Sequence, residues 1–468
     1  MRRNKPKILN GITIEKIAAE GKGLGRVEGK VVFVDYAVPG DVVDVFTTKN
    51  KKDFASGNIF KLITPSAKRI VPKCAHFMTC GGCRWQHVSY QTQLDYKQTI
   101  VEEAFNHIAK MENINILPIV GNISPFYYRN KMDFTFTNRR WLKQEEIDKG
   151  EDIVFERRGI GMHVFGRFEA VEHINNCMLM EDGHNSIRNS LYDFAIKNDY
   201  SFYNVHSHEG LLRNLILRNT IDGQIMLLLV VGQEDMPKIN LILEYLKTYF
   251  PNINNILYAI NSKKNDTIYD LDIQVYKGEK FITETLGNKK FHIDIKSFFQ
   301  TNSTQAKELY DITKQYADLD KEDIVYDLYT GTGSIAIYVA DSCKKVVGIE
   351  LVEASIVDAK RNALINNIDN CSFFASAAEQ LFDKDFIEIN GMPDVVITDP
   401  PRAGMHPKVI ETLITFLPKK IVYVSCNAAT QARDIALLQE FYVVDKIQPV
   451  DMFPQTHHVE SVALLIRK

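Results

Sequence analysis

From residue 322 onward the chain keeps one rhythm. A short apolar run is followed by a turn, a helix-like stretch and another apolar run: IVYDL, KVVGIE, CSFFA, VVIT and IVYVS. Strands this uniformly apolar, separated by helical pattern, read as a parallel sheet covered on both faces. Parallel neighbours need a crossover, and crossover helices bury the faces. A doubly wound α/β sheet of this Rossmann-like kind binds ligands beyond the carboxyl ends of its strands. Gly331, Glu350, Asp399 and Cys426 lie at those ends and should converge on one crevice, whereas Cys343 and Cys371 fall in connections at the opposite rim and read as structural.

The first crossover is EDIVYDLYTGTGS followed by IAIYVA, with Gly331 and Gly333 where a ligand must approach the backbone. A dinucleotide site prefers G-x-G-x-x-G. The pattern D-x-x-x-G-x-G, with the acid Glu350 ending the second strand, is that of S-adenosylmethionine enzymes, and Glu350 would hold ribose hydroxyls. A thiol at such a site has a chemical rationale. Carbon 5 of uracil is a poor nucleophile until a thiolate adds at carbon 6, and covalent catalysis of this kind splits one hard step into easier ones. A base must then remove the carbon 5 proton. The tail VDMFPQTHHVES offers Glu460, with His457 or His458 as competing bases. Two other readings stay open on the residues alone. One is an amino-group methyltransferase using Asp399-Pro-Pro, against which Arg402 stands where an aromatic would stack the base. The other is a non-catalytic RNA-binding protein that retains the fold.

The N-terminal end is a separate unit. Residues 1–70 carry 14 Lys and Arg against 7 Asp and Glu, while the whole chain has a net charge of −3. VVFVDYAVPGDVVDVF alternates strand-like runs around a Pro-Gly turn, and Gly21, Gly23 and Gly25 punctuate the stretch before it. This reads as a small basic β-barrel of the oligonucleotide-binding kind over 1–62, suited to phosphates. ITPSAKRIVP, residues 63–72, reads as a linker. In CAHFMTCGGCRWQ, Cys74, Cys80 and Cys83 have C-x5-C-x2-C spacing, and Cys177 is the nearest further cysteine. Four thiolates suit zinc or an iron–sulfur cluster, and the spacing does not choose. The region 72–290 reads as a mixed α/β domain, with a helix in QTQLDYKQTIVEEAFNHI and strands in RNKMDFTF, RNLILRNT and QIMLLLVV; Arg129, Lys131, Arg213 and Arg218 read as polyanion contacts or ordinary surface charge. Residues 291–468 complete the third domain.

A chain of 468 residues, 45% hydrophobic and 25% charged, has material for two or three cores. It contains no apolar run of membrane-spanning length, and MRRNKPKILN has no signal-peptide segment, so the cytoplasm is expected. An odd count of seven cysteines argues against a disulfide framework. Nothing points to a protein partner, and a monomer is expected.

DPPRAG, sixteen residues, then IVYVSCNAAT, together with VDMFPQTHHVE, resemble the two signatures of the RNA uracil-5 methyltransferases, in particular the 23S ribosomal RNA branch. SFFQTN, the four cysteines and a basic barrel like the TRAM domain extend the resemblance over nearly the whole chain. It implies Cys426 as nucleophile and Glu460 as base. It also implies an S-adenosylmethionine site at Gln300, Tyr329, Glu350 and Asp399, and a [4Fe-4S] cluster on Cys74, Cys80, Cys83 and Cys177. Ser334 stands where relatives often carry Asn, so no binding role is carried over there; Tyr329 replaces a frequent Phe. Because transfer-RNA relatives commonly lack barrel and cluster, the resemblance implies 23S rRNA as partner, with tRNA as the alternative.

Overall fold

The structure, a computed structural model, describes residues 7–150 and 155–468. Residues 1–6, the start of the expected barrel, lie outside the described residues. Strands Ile8–Ile17, Gly23–Val27, Lys30–Asp35, Phe54–Thr64 and Val42–Asn50, in that spatial order, close into a barrel. Their alternate residues, among them Ile12, Ile14, Val32, Val34, Val43 and Val45, fill its interior. Closure brings chains very near: a Cβ on Gly57 would lie 2.2 Å from the Phe46 carbonyl oxygen. The expected linker is not free. The last strand continues to Thr64, and the buried Asp41 carboxylate accepts hydrogen bonds from the Ser66 N–H at 2.8 Å and from the Arg69 guanidinium at 2.7 and 2.8 Å.

The middle of the chain forms a seven-stranded sheet in the order Gln274–Lys277, Asn255–Ile260, Ile225–Val231, Leu212–Asn219, Lys131–Thr137, Gly159–Val164 and Arg167–His173. All pairs are antiparallel except Ile225–Val231 with Asn255–Ile260, which helix Met236–Tyr249 connects. On one face Phe134, Phe136, Leu215 and Leu217 pack against helices Asp182–Lys197 and Met236–Tyr249 through Ile187, Leu191, Ile239 and Leu243. On the other face Ile216, Met226, Leu228 and Val230 join one apolar cluster with Val325, Ile397 and Val422 of the C-terminal sheet.

That C-terminal sheet also has seven strands: Cys371–Ala375, Lys345–Glu350, Ile324–Leu328, Val395–Thr398, Lys420–Ser425, Glu460–Arg467 and Tyr442–Val450. The first five are parallel, and the chain's last strand, Glu460–Arg467, is inserted antiparallel between Lys420–Ser425 and Tyr442–Val450.

A division at residue 290 does not follow the packing. Helix Tyr90–Ala104 and the turn after it sit on the C-terminal unit, where Val101 and Phe105 share a core with Tyr423 and Ile447. Ile116 and Val120 bridge to Ile447 and Val450. The hairpin Phe281–Leu286 and Lys289–Asp294 likewise buries Ile282, Phe291 and Ile293 against Ile337 and Val339. Amphipathic pattern reports how much of an element is covered, not by what. No helix among the described residues is long and apolar enough to cross a membrane.

Candidate active site

The strand ends assemble the crevice. Leu328 pairs with both Ile349 and Thr398, so Tyr329, Glu350 and Asp399 leave the sheet at one edge. The loop after the first strand is held in an uncommon conformation: Tyr329, Gly331 and Gly333 have φ of 65°, 56° and 77°. A tyrosine in the left-handed region is costly and persists only where its surroundings enforce it. Here the buried Asp327 carboxylate does so, accepting from the Thr330 hydroxyl and from the Ala336 N–H at 3.1 Å. Glu350 is aimed across the strand ends by the N–H groups of Gly331, at 3.2 Å, and Val352, at 2.9 Å. Ser334 hydrogen-bonds the Tyr310 hydroxyl at 2.9 Å.

Gln300 reaches this edge on a segment tied from two sides. Asn130 Nδ2 donates to the Gln300 carbonyl at 3.2 Å, and Asn302 Nδ2 donates to the Met452 carbonyl at 2.9 Å. The buried Arg218 guanidinium donates to the carbonyls of Ser297 and Asp294 at 3.0 and 3.3 Å. Arg218 therefore does not face a polyanion; it builds the loop that carries Gln300. Arg213 is also buried, with its guanidinium 4.2 Å from the centre of the Tyr203 ring and bonded to the carbonyls of Asn261 and Lys263. Sequence reading missed both roles, since an arginine in a strand gives no sign that carbonyls from a distant loop will enclose it.

Cys426 and Glu460 meet through register. Ser425 pairs with Ser461 in the antiparallel ladder, which sets the next residues, Cys426 and Glu460, opposite each other at the same sheet end. Directly opposed residues lie about 4.5–5.5 Å apart. The Arg402 loop is fastened to the Cys426 loop, because its carbonyl accepts from Asn427 Nδ2 at 3.0 Å and from the Thr430 hydroxyl at 3.2 Å. Burial, with the Asp399 carboxylate nearby, pushes the Glu460 carboxyl up to about 8. Burial pushes Asp399 to about 7, with Asp327 adding to it, and Asp327 to about 7, with Glu350 adding to it. Burial and the carboxylates of Glu460 and Asp399 push the Cys426 thiol up to about 11. A dry crevice holding several carboxyl groups stores repulsion that a cationic ligand relieves. His457 and His458 are driven the other way, to about 4 and about 3, by burial and by neighbouring cations or each other. Both rings are therefore neutral at pH 7.

The tail that delivers Glu460 is clamped by residues from the far end of the chain. The N–H groups of Arg84 and Trp85, just after Cys83, donate to the Gln455 carbonyl at 2.8 and 3.1 Å. Gln93 accepts from the Gln455 N–H at 2.9 Å and donates to its side-chain oxygen at 3.0 Å. The fully buried Lys97 reaches Asp451 at 2.5 Å and the Phe453 carbonyl at 3.0 Å. The barrel touches the same tail: a Cβ on Gly21, whose φ is +72°, would lie 2.6 Å from His457 Cβ. Nothing in the sequence spacing points to this clamp.

The four cysteines come together. The Gly81 N–H donates to the His163 carbonyl at 2.9 Å, and the hairpin Gly159–Val164 and Arg167–His173 then carries the chain on toward Cys177. Cys74, Cys80, Cys83 and Cys177 line one small cavity with Met132, Met162 and other apolar side chains. All four thiols are free. Burial pushes Cys80 and Cys83 up to about 12, with the other thiols adding to the effect. The Gly82 N–H and Gln86 Nε2 donate to Cys80 Sγ at 3.4 Å and Cys83 Sγ at 3.3 Å. Among the described residues no three His, Cys, Asp or Glu side chains form a group that could hold a single metal ion.

Residues 272–468 match the family model described as tRNA (Uracil-5-)-methyltransferase, and residues 11–67 match that of the TRAM domain of tRNA (uracil(54)-C(5))-methyltransferase. An uncharacterized RNA methyltransferase of Bacteroides thetaiotaomicron is 45% identical over 453 residues, spanning 96% of this chain and 99% of the relative. One of Porphyromonas gingivalis is 44% identical over 97% of this chain and 99% of the relative. Among solved structures, the Pyrococcus abyssi tRNA (uracil-54, C5)-methyltransferase in complex with S-adenosyl-L-homocysteine is similar with a TM-score of 0.76 and 30% identity, over 98% of this chain and 100% of that one. A barrel beside a methyltransferase sheet thus also occurs in a transfer-RNA enzyme, so the barrel does not by itself favour 23S rRNA over the tRNA alternative. The chain belongs to the RNA uracil-5-methyltransferase family and is an S-adenosylmethionine-dependent RNA methyltransferase with an N-terminal TRAM domain.

Proposed function

We propose that this enzyme methylates carbon 5 of a uridine in RNA through a covalent bond to Cys426. The observation that carries this reading is the register that sets Cys426 opposite Glu460 beside Asp399. Cys426 releases its proton to solvent, with the Arg402 guanidinium partly offsetting the burial and the acids that hold the thiol at about 11. Its Sγ adds as thiolate to carbon 6 of the flipped base, and the electron pair displaced toward carbon 5 makes that carbon nucleophilic. S-adenosylmethionine, when bound, supplies the electrophilic methyl group that carbon 5 takes. Glu460 then removes the proton from carbon 5, and the sulfur–carbon bond breaks with its electrons returning to Cys426. A carboxyl poised at about 8 suits this proton transfer near neutral pH. His457 and His458, held at about 4 and about 3, are weaker bases by several orders of magnitude. Gln300, Tyr329, Glu350 and Asp399 form the cradle for the donor. RNA carrying 5-fluorouridine at the target should form an adduct with the wild-type enzyme that survives denaturation, because fluorine cannot leave as a proton does. Cys426→Ala should form none while still binding S-adenosylmethionine; an adduct in that variant would refute the assignment.

The substrate proposed is 23S rRNA, on the resemblance of the two signatures to the ribosomal branch, with the cytoplasm as the place of action and a monomer as the working form. A tRNA reading is favoured by the likeness to the Pyrococcus abyssi enzyme. Mapping 5-methyluridine in both RNAs from a deletion strain decides between them.

The cysteine cavity fits a [4Fe-4S] cluster. The four thiols line one cavity, burial keeps Cys80 and Cys83 from ionising without a compensating cation, and N–H donors already point at these two sulfurs. Zinc is the alternative, and the cluster is preferred on the resemblance of the four-cysteine set to the family. When bound, it would fasten the segment that clamps Gln455. Protein purified without oxygen should carry iron and acid-labile sulfide, and stoichiometric zinc without sulfide would overturn this.

A further inference from the structure

A second cavity, of about 400 Å³, lies on the central sheet, away from the strand ends that hold Cys426. Its floor is the sheet face that packs on the C-terminal unit around Ile216 and Arg218 but opens toward solvent at Thr135 and His163, with Asn214 buried beneath. Asn214 is only 4% exposed. Its Nδ2 donates to Asp133 at 3.4 Å, yet its Oδ1 is buried with no partner. Turning the amide over would leave the NH2 unpaired instead, so one end of this side chain waits for a ligand. Thr135 and His163 hydrogen-bond each other at 3.2 Å beside it and add further donor and acceptor sites. Phe168, 71% exposed, stands at the rim, and Tyr203 forms a wall stiffened by Arg213. Lys264 also lines the cavity, on a loop whose carbonyls Arg213 holds, together with Asp266 of the same loop and Glu169.

A polar-edged slot with a bare aromatic ring, lined by Lys264 and by the carboxylates of Glu169 and Asp266, offers the donors, acceptors and stacking face that an unpaired nucleobase uses. Its position matches too. Asn130 bonds the Gln300 carbonyl at the donor cradle, and Thr135 follows five residues later along an extended segment, a span of about 17 Å. Resting on the RNA reading above, we infer that this cavity binds a flipped-out base of the substrate RNA a few nucleotides from the target uridine. The Asn214 amide reads its edge and Phe168 stacks on its face, so the site contributes to the choice of uridine.

The probe is total RNA from a strain lacking the enzyme, prepared with 4-thiouridine and irradiated on the intact protein. Cross-linked peptides containing Phe168 or Tyr203 are expected. Phe168→Ala, an exposed change that leaves the core intact, and Asn214→Leu should each raise the KM for RNA about tenfold with kcat and S-adenosylmethionine affinity unchanged, the signature of lost uniform binding. Cross-links confined to other peptides, together with an unchanged KM in Phe168→Ala, would overturn the inference. So would adenosine or uridine monophosphate occupying the cavity and abolishing the cross-link, which would make it a free-nucleotide site. The 5-fluorouridine adduct separates the two readings. Adduct without cavity cross-links removes this inference alone, whereas cavity cross-links without adduct remove the uridine chemistry and leave the RNA site standing.

Discussion

Glu460 shows at the scale of one residue how this site exchanges stability for reactivity. Its folded value of about 8 lies above the ordinary 4.5, so between those values the native state holds a proton that the unfolded state has released. The stabilisation is full below about 4.5 and is lost as pH rises through about 8. Glu460→Gln removes that slope, and at pH 8 the variant should be more stable than wild type by up to about 4 kcal/mol. Denaturant unfolding at pH 5 and pH 8 checks this; an unchanged slope would place the carboxyl in a wetter setting than its 5% exposure implies. The same variant should accept the methyl group but not complete the reaction. A methylated RNA–protein adduct on Cys426 should accumulate with ordinary uridine RNA, detectable by peptide mass spectrometry. Release of 5-methyluridine at the normal rate would hand the base role to His457, His458 or water.

At the scale of elements, helix Tyr90–Ala104 sits early in the chain and works late in the fold. Its Lys97 forms an ion pair with Asp451 across 354 residues, with both side chains fully buried. Removing one partner strands a charge, so Lys97→Met should cost about 3–5 kcal/mol, whereas Lys97→Met with Asp451→Leu should recover much of it. Thermal unfolding of the single and double variants measures the difference; equal losses would show the pair to be incidental. The same helix marks the limit of what the sequence makes legible. The parallel sheet could be read from IVYDL, KVVGIE, VVIT and IVYVS because uniform apolarity leaves few other structures. The convergence of Glu350, Asp399 and Cys426 followed from topology. The amphipathic helix announced that it is half-buried and nothing of its partner. Arg213 and Arg218 were misread because charge ordinarily means surface, and only the assembled fold shows the carbonyls that enclose them.

For the whole molecule, the barrel is bolted to the catalytic unit, not tethered beside it. Arg84 bridges to Asp35 at 2.6 Å, and Trp85 donates to the Gly21 carbonyl at 3.2 Å. Deleting the barrel would therefore disturb the tail that bears Glu460, and surface charge is the cleaner handle. Lys51, Lys52 and Lys61 are exposed, on the barrel that also exposes Phe46 and Phe60. Changing all three lysines to Gln should weaken RNA binding and lower the magnitude of its log–log salt slope by about 1 to 3, with stability within about 0.5 kcal/mol of wild type. An unchanged slope would place the phosphates elsewhere. The order of the C-terminal sheet bears on biosynthesis. Because strand Glu460–Arg467 is wedged between two strands made before it, the sheet stays open until residues 460–467 have been made and freed to pair. Glu460, the base proposed above, arrives only with that strand. A nascent chain can thus complete its barrel before its catalytic sheet, and on the mechanism proposed above a chain stopped short of residue 460 should lack turnover.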